Sequence, residues 1–244
     1  MRSLLASLFL IVCACSAYPL RAQDAPVSDT PLPGPQRAKA AAARVRPHLT
    51  HDLSEKGLHF GDPVYLRAFK EESELEMWVK NRSSGKYEYF RTWKVAAQSG
   101  ELGPKLAEGD RQVPEGFYFV PPSGMKPDST FHLAFNIGYP NSYDRHHGRT
   151  GTFIMIHGNR VSIGCLAMTD RKIEEIYTLC DAALKNGQPY FRVHIFPFRM
   201  TDENMTRDSK WSAFWANLKE GYDYFERRKT PPNVTLANGR YEFK

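Results

Sequence analysis

This chain of 244 residues predicts an α+β fold, mainly β with a few helices. Three observations lead there. Short strand-like runs fill most of residues 62–157, strong helical periodicity begins only after residue 169, and Asn238-Gly239 between VTL and RYEF signals a tight hairpin. An apolar content of 41% and an aromatic content of 13% are enough for a substantial core.

The N-terminus reads as a secretory leader over residues 1–22. Arg2 supplies the charged start, Leu4 to Val12 the apolar stretch, and Ala14 to Ala17 the small residues near a cleavage point. Cleavage after Ala17 or Ala22 is expected. Val12-Cys13-Ala14-Cys15 is also an imperfect lipobox, which makes a lipid anchor at Cys15 the alternative. No later run approaches the roughly 18 apolar residues of a membrane span. The charge of +6 falls to +4 when Arg2 and Arg21 leave with the leader. Basic residues are scattered without a block, so a nucleic-acid partner is not expected.

Residues 23–60 read as a Pro/Ala-rich linker. Pro26, Pro31, Pro33 and Pro35 suggest coil, with a turn or two of helix near Ala38 to Arg44 and a short helix from Thr50 to Lys56. The main folded domain is expected over 61–200, with 201–244 packed on it as a helical and hairpin extension. PVYLRAFK, ELEMWVK, KYEYFRTWK, GFYFV and FHLAFNI read as strands, and NSYDRHHGRTGT as a long polar loop. A helix is predicted from Thr169, as N-cap, to Asn186-Gly187. Phe191, Val193 and Ile195 then mark a strand with one buried face. TDENMTRDS and KWSAFWANLKEGYDYFERR read as two further helices.

The chemistry concentrates in FIMIHGNRVSIGCLAMTD. His157 ends an apolar strand and Cys165 follows a glycine turn. Export removes Cys13 and Cys15, or turns one into an anchor, leaving Cys165 and Cys180. Two cysteines make no disulfide framework in an oxidising compartment. Cys180 lies on the apolar stripe Ile173, Ile176, Tyr177, Leu184 and is expected in the core; Cys165 is expected to be a free thiol. It lies five residues before a helix start, where the helix dipole favours a thiolate. Gly164 permits positive φ, and the N–H groups of Gly164 and Cys165 could form an oxyanion hole. His157 is the candidate proton acceptor, its ring oriented by Ser162 or by a backbone carbonyl. One Cys and one His lack the further ligands zinc needs, so neither metal nor cofactor is expected.

His157-Gly158 followed by Ser162-Ile163-Gly164-Cys165 resembles the signature of the L,D-transpeptidase catalytic domain (YkuD) family. PVYLRAFKEESELEMWVK, LGPKLAEGD, PEGFY, NIGYPNSYDRHHG, VSIGCLAMTD, PFRMTDENM and GYDYFE carry the likeness across residues 62–243, most closely to the YafK-like or DpaA-like murein subgroup. The resemblance implies a β-sandwich or barrel-like core, Cys165 as nucleophile and His157 as base. Most of the wider family has a longer insertion between the two, a His or Lys where this chain has Ile163, and an Arg where it has Ala167. The subgroup matches this chain at these positions. The resemblance implies hydrolysis of the bond joining an outer-membrane lipoprotein to the meso-diaminopimelate of peptidoglycan, in the periplasm. The alternative is a transpeptidase that forms crosslinks or attaches the lipoprotein. Arg160, Arg145 and Arg149, with His147 and Tyr143, are the candidates for holding the substrate stem peptide where Ala167 cannot.

Overall fold

The structure, a computed structural model, describes residues 33–244. The expected leader, the Cys15 anchor and the start of the expected linker lie outside the described residues.

A five-stranded sheet forms the centre, in the order β3-β2-β1-β9-β4. It comprises β1 (Val64–Phe69), β2 (Glu74–Lys80), β3 (Tyr87–Lys94), β4 (Gly116–Val120) and β9 (Phe191–Phe196). Only β1 and β9 run parallel. A second sheet orders β5 (Met125–Lys126), β6 (Ala134–Asn136), β7 (Met155–His157) and β8 (Leu166–Ala167). Val64, Leu66, Ala68, Val193 and Ile195 pack from one face of the large sheet into a core shared with Phe135, Ile156 and Leu166 of the second. Helix α3 (Asp170–Lys185) joins this core through Ile173, Ile176 and Cys180. Cys180 is fully buried and both described cysteines are free.

The opposite face of the large sheet carries Tyr65, Phe69, Phe117 and Phe196. It is covered by α4 (Ser212–Arg228) and the hairpin of β10 (Val234–Ala237) and β11 (Arg240–Phe243). β1 is therefore buried along its whole length. Arg67 is buried on it because Glu76 and Glu226 take its guanidinium, at 2.9 and 2.6 Å. Asn238 and Gly239 both have positive φ, as the type I′ turn requires.

Three local readings need correction. Residues 34–54 are not linker but one helix, α1 (Gly34–Ser54). Ala41, Val45, Leu49 and Leu53 recur every four residues and are buried in the same core as α3. Proline does not prevent this: Pro33 and Pro35 sit at the helix start, where a missing N–H is harmless, and Pro47 faces solvent. Arg44 clasps Glu174 of α3 with two hydrogen bonds, at 2.5 and 3.1 Å. The polar loop at 141–152 contains a short helix, α2 (Ser142–His146), started by a reciprocal capping box of Asn141 and Asp144. TDENMTRDS holds only a 3₁₀ turn at Asn204–Thr206; four of its nine residues prefer caps or turns to helix interiors. Among the described residues, no helix is long and apolar enough to cross a membrane.

Leu49→Ala should lower unfolding stability by about 2–5 kcal/mol in urea titration. A solvated linker at this position would leave the midpoint unchanged.

Candidate active site

β7 and β8 run parallel, with Ile156 opposite Leu166 and His157 opposite Ala167. Side chains alternate along a strand, so Cys165, one residue before β8, projects from the same face as Met155 and His157. Two glycines make this arrangement possible. A Cβ at Gly158 would lie 2.6 Å from Asp170 Oδ1 and 2.7 Å from the Phe131 carbonyl. Gly164 has φ +82° and passes close to the Gln112 backbone.

His157 is 2% exposed. Its Nδ1 lies 2.6 Å from the Gly158 carbonyl, which can only accept. The proton therefore sits on Nδ1 and a lone pair is left on Nε2. Burial pushes the imidazole below its ordinary pKa, against the opposing effect of the Gly158 carbonyl, so the ring is a neutral base at pH 7. The Phe131 ring lies against it, centroids 4.8 Å apart.

Cys165 Sγ accepts from the Met155 N–H at 3.4 Å and lies 3.8 Å from the Phe153 carbonyl. Burial raises the thiol pKa above its usual value, and the Met155 N–H and the charge of Lys105 only partly offset it. The thiolate expected from the helix start is therefore not the resting form: desolvation prevails. A neutral thiol and a neutral imidazole on one sheet face can form a thiolate only by proton transfer between them.

Two other expectations change. The Gly164 N–H donates to Ser99 Oγ at 2.7 Å and the Cys165 N–H to Ser162 Oγ at 3.0 Å, so both expected oxyanion donors are occupied. Ser162 bonds to Cys165 rather than orienting His157, its hydroxyl also donating to the Cys165 carbonyl at 2.6 Å. It braces the turn. The Gly158 carbonyl orients the ring instead.

The candidate substrate-binding residues do not gather at the thiol. Arg160 is exposed on the turn between His157 and Cys165. Arg149 is buried, paired with Asp144 at 2.8 Å and lying over the rings of Tyr143 and Phe214. Tyr143 stacks on Tyr241 at 4.2 Å and on His147 at 4.1 Å. Arg149 and Tyr143 clasp α2 to the C-terminal segments through Phe214 and Tyr241, with His147 stacked on Tyr143, so all three are engaged in packing in this structure. Arg145 is exposed and donates to the Pro140 carbonyl, in a different groove.

Lys105 was not legible in the sequence. It is buried in the loop of residues 98–112 that wraps the cysteine turn, with Nζ donating to Asp110 at 2.5 Å and to the Ala107 carbonyl at 2.8 Å. Two bonds leave a third N–H on the ammonium. Phe131, Phe153, Val161 and Ile163, in the segments flanking the pair, are exposed apolar side chains. The described residues that come together as a possible metal ligand set, His51, Asp52 and Glu55, lie at the C-terminal end of α1 and include neither site residue.

Removing the charge in Lys105→Met should move the midpoint of the pH profile of Cys165 alkylation by iodoacetamide upward, because a nearby cation favours the thiolate. Lys105→Arg should restore it. Arg149→Met should cost roughly 3–5 kcal/mol of stability in chemical unfolding, as expected when a buried carboxylate loses its partner. A change in substrate affinity without that loss would contradict the structural role.

Comparison with known proteins shows the family. Residues 68–195 match the L,D-transpeptidase catalytic domain, YkuD. The YafK protein of Escherichia coli strain K12, whose name places it among the L,D-transpeptidases, is 50% identical over 183 residues, 74% of each chain. Among solved structures, the helical cell shape determining protein Pgp2 of Campylobacter jejuni (K307A mutant) is similar at a TM-score of 0.46 and 22% identity. That match covers 72% of this chain and 63% of the other. Bd1075 of Bdellovibrio bacteriovorus is similar at a TM-score of 0.40 and 21% identity, covering 68% of this chain and 56% of that one. With a catalytic-domain match over half its length and a relative at 50% identity, the chain belongs to the L,D-transpeptidase (YkuD) family and is YafK-like.

Proposed function

We propose that this protein is an exported, periplasmic cysteine hydrolase that cleaves the link between peptidoglycan and an outer-membrane lipoprotein. The observation that carries the reading is the fixed tautomer of His157, with Nε2 free to accept a proton on the sheet face that bears Cys165. In the reaction, Nε2 takes the thiol proton and Sγ attacks the carbonyl at the L-centre of meso-diaminopimelate. The C–N bond breaks, the imidazolium returns its proton to the leaving amine, and a thioester remains. Water, deprotonated by the same Nε2, attacks the thioester; the C–S bond breaks and the thiol is reprotonated. Sγ and ring come together by side-chain rotation, since the resting thiol faces backbone groups.

Water is preferred as acceptor because a second stem peptide would bring a carboxylate. The two positions at which the wider family carries a cation are here an exposed Ile163 and a fully buried Ala167. Neither can hold that group. Transpeptidation shares the first half-reaction and is the second reading.

Purified mature protein incubated with lipoprotein-linked sacculi should release protein, read by mass spectrometry. Cys165→Ala and His157→Ala should each reduce release by roughly 10³-fold or more, the scale on which nucleophile and base act as a unit. New crosslinks in place of release would establish transpeptidation, and neither product would leave a binding module.

A further inference from the structure

The large sheet is left uncovered at one end. β4 and β9 pair with Phe119 opposite Arg192 and Phe117 opposite His194, so these four side chains share a face. The hairpin covers Phe117, with Tyr241 and Phe243 at ring distances of 4.9 and 5.0 Å. The cover stops there, and Phe119 stays 54% exposed. What remains is a groove of about 430 Å³, bounded by this strand end, by Gly138 to Ser142, and by Asn233 and Val234. It contains neither Cys165 nor His157.

Its chemistry is one-sided. Among the described residues, Arg192 and Arg145 line it and no carboxylate does. Arg192 donates to the neutral Asn233 side chain at 2.7 Å and lies 5.3 Å from the Tyr190 ring centroid; Arg145 donates to a backbone carbonyl. The arginines that serve the fold are tied differently: Arg67, Arg149 and Arg199 each bond to carboxylates. Tyr190 and Phe119 stand together, centroids 5.2 Å apart, as an aromatic wall. His194 at the floor is kept neutral by burial and by Arg192 and Arg67, so it neither cancels nor adds charge.

We infer that this groove is a second, non-catalytic binding site for an anionic glycan–peptide strand, its guanidiniums taking stem-peptide carboxylates and its aromatic wall packing on a sugar ring. Guanidinium and carboxylate match as bidentate partners, and an aromatic face suits the C–H surface of a pyranose. The inference rests on the reading that the enzyme acts on peptidoglycan. The groove would hold the polymer while the thiol site works on one stem.

The test uses the full mature chain carrying Cys165→Ala, which binds without turnover. Co-sedimentation with purified sacculi should weaken roughly tenfold on adding Arg192→Gln or Tyr190→Ala, with thermal midpoints retained. Arg145→Gln, whose side chain is exposed, serves if either variant unfolds. Sacculus affinity unchanged in these variants overturns the inference. So does a parent that binds polyglutamate as tightly as sacculi, since the groove would then be an unselective anion site. The outcome is separable from the catalytic reading: sacculus binding by this parent with no protein release by the chain that keeps Cys165 sinks hydrolysis alone, and release by that chain with unaltered binding in the groove variants sinks the groove alone.

Discussion

Ala167 is held from two sides by backbone alone. It pairs with His157 in the parallel ladder, and its carbonyl and N–H exchange hydrogen bonds with Ala96 and Ala97, at 2.7 to 3.2 Å. The first contact sets the thiol and the imidazole on a common sheet face. The second draws in the 98–112 loop, which delivers Ser99 to the Gly164 N–H and Lys105 to the neighbourhood of the thiol. Ala167 is fully buried there, so a longer side chain would require its neighbours on the sheet face to shift.

Buried charge performs a different task, joining segments distant in sequence. Lys70, just after β1, donates to Glu115 at 3.0 Å and to the Gly103 and Val113 carbonyls, while Trp215 of α4 donates to the same Glu115 at 2.9 Å. Arg67 links β1, β2 and α4, and Asp144 with Arg149 fixes α2 beneath the hairpin. Each pair is satisfied by further hydrogen bonds or ring contacts, the condition under which burying an ion pair is tolerable. These links make the C-terminal segment part of the sheet's cover. Its edge at Phe117 leaves the neighbouring groove open.

Much was legible because it is local. The thiol and its histidine stand eight residues apart, and strand, glycine turn and helix are written in the same stretch; hairpin and α3 boundaries follow from Asn-Gly signals and apolar periodicity. The helix α1 was legible in principle, since Ala41, Val45, Leu49 and Leu53 mark a stripe. The prolines pointed to coil because composition does not show that they fall at the helix start and on its solvent face. Arg149 and Tyr143 read as ligands for a comparable reason: a charged or aromatic residue in a polar loop looks available until Asp144 and Tyr241 occupy it.

The sequence by itself determined the α+β class and singled out Cys165 and His157 as the candidate nucleophile and base, both readings of residue type and short spacing. Tertiary structure decided protonation and partnership. Burial raises the thiol and lowers the imidazole, a carbonyl rather than Ser162 orients the ring, and hydroxyls occupy the expected oxyanion donors. It also decided which cations are free to meet a substrate. Desolvation and pairing depend on groups far apart along the chain, so they exist only once the chain has folded.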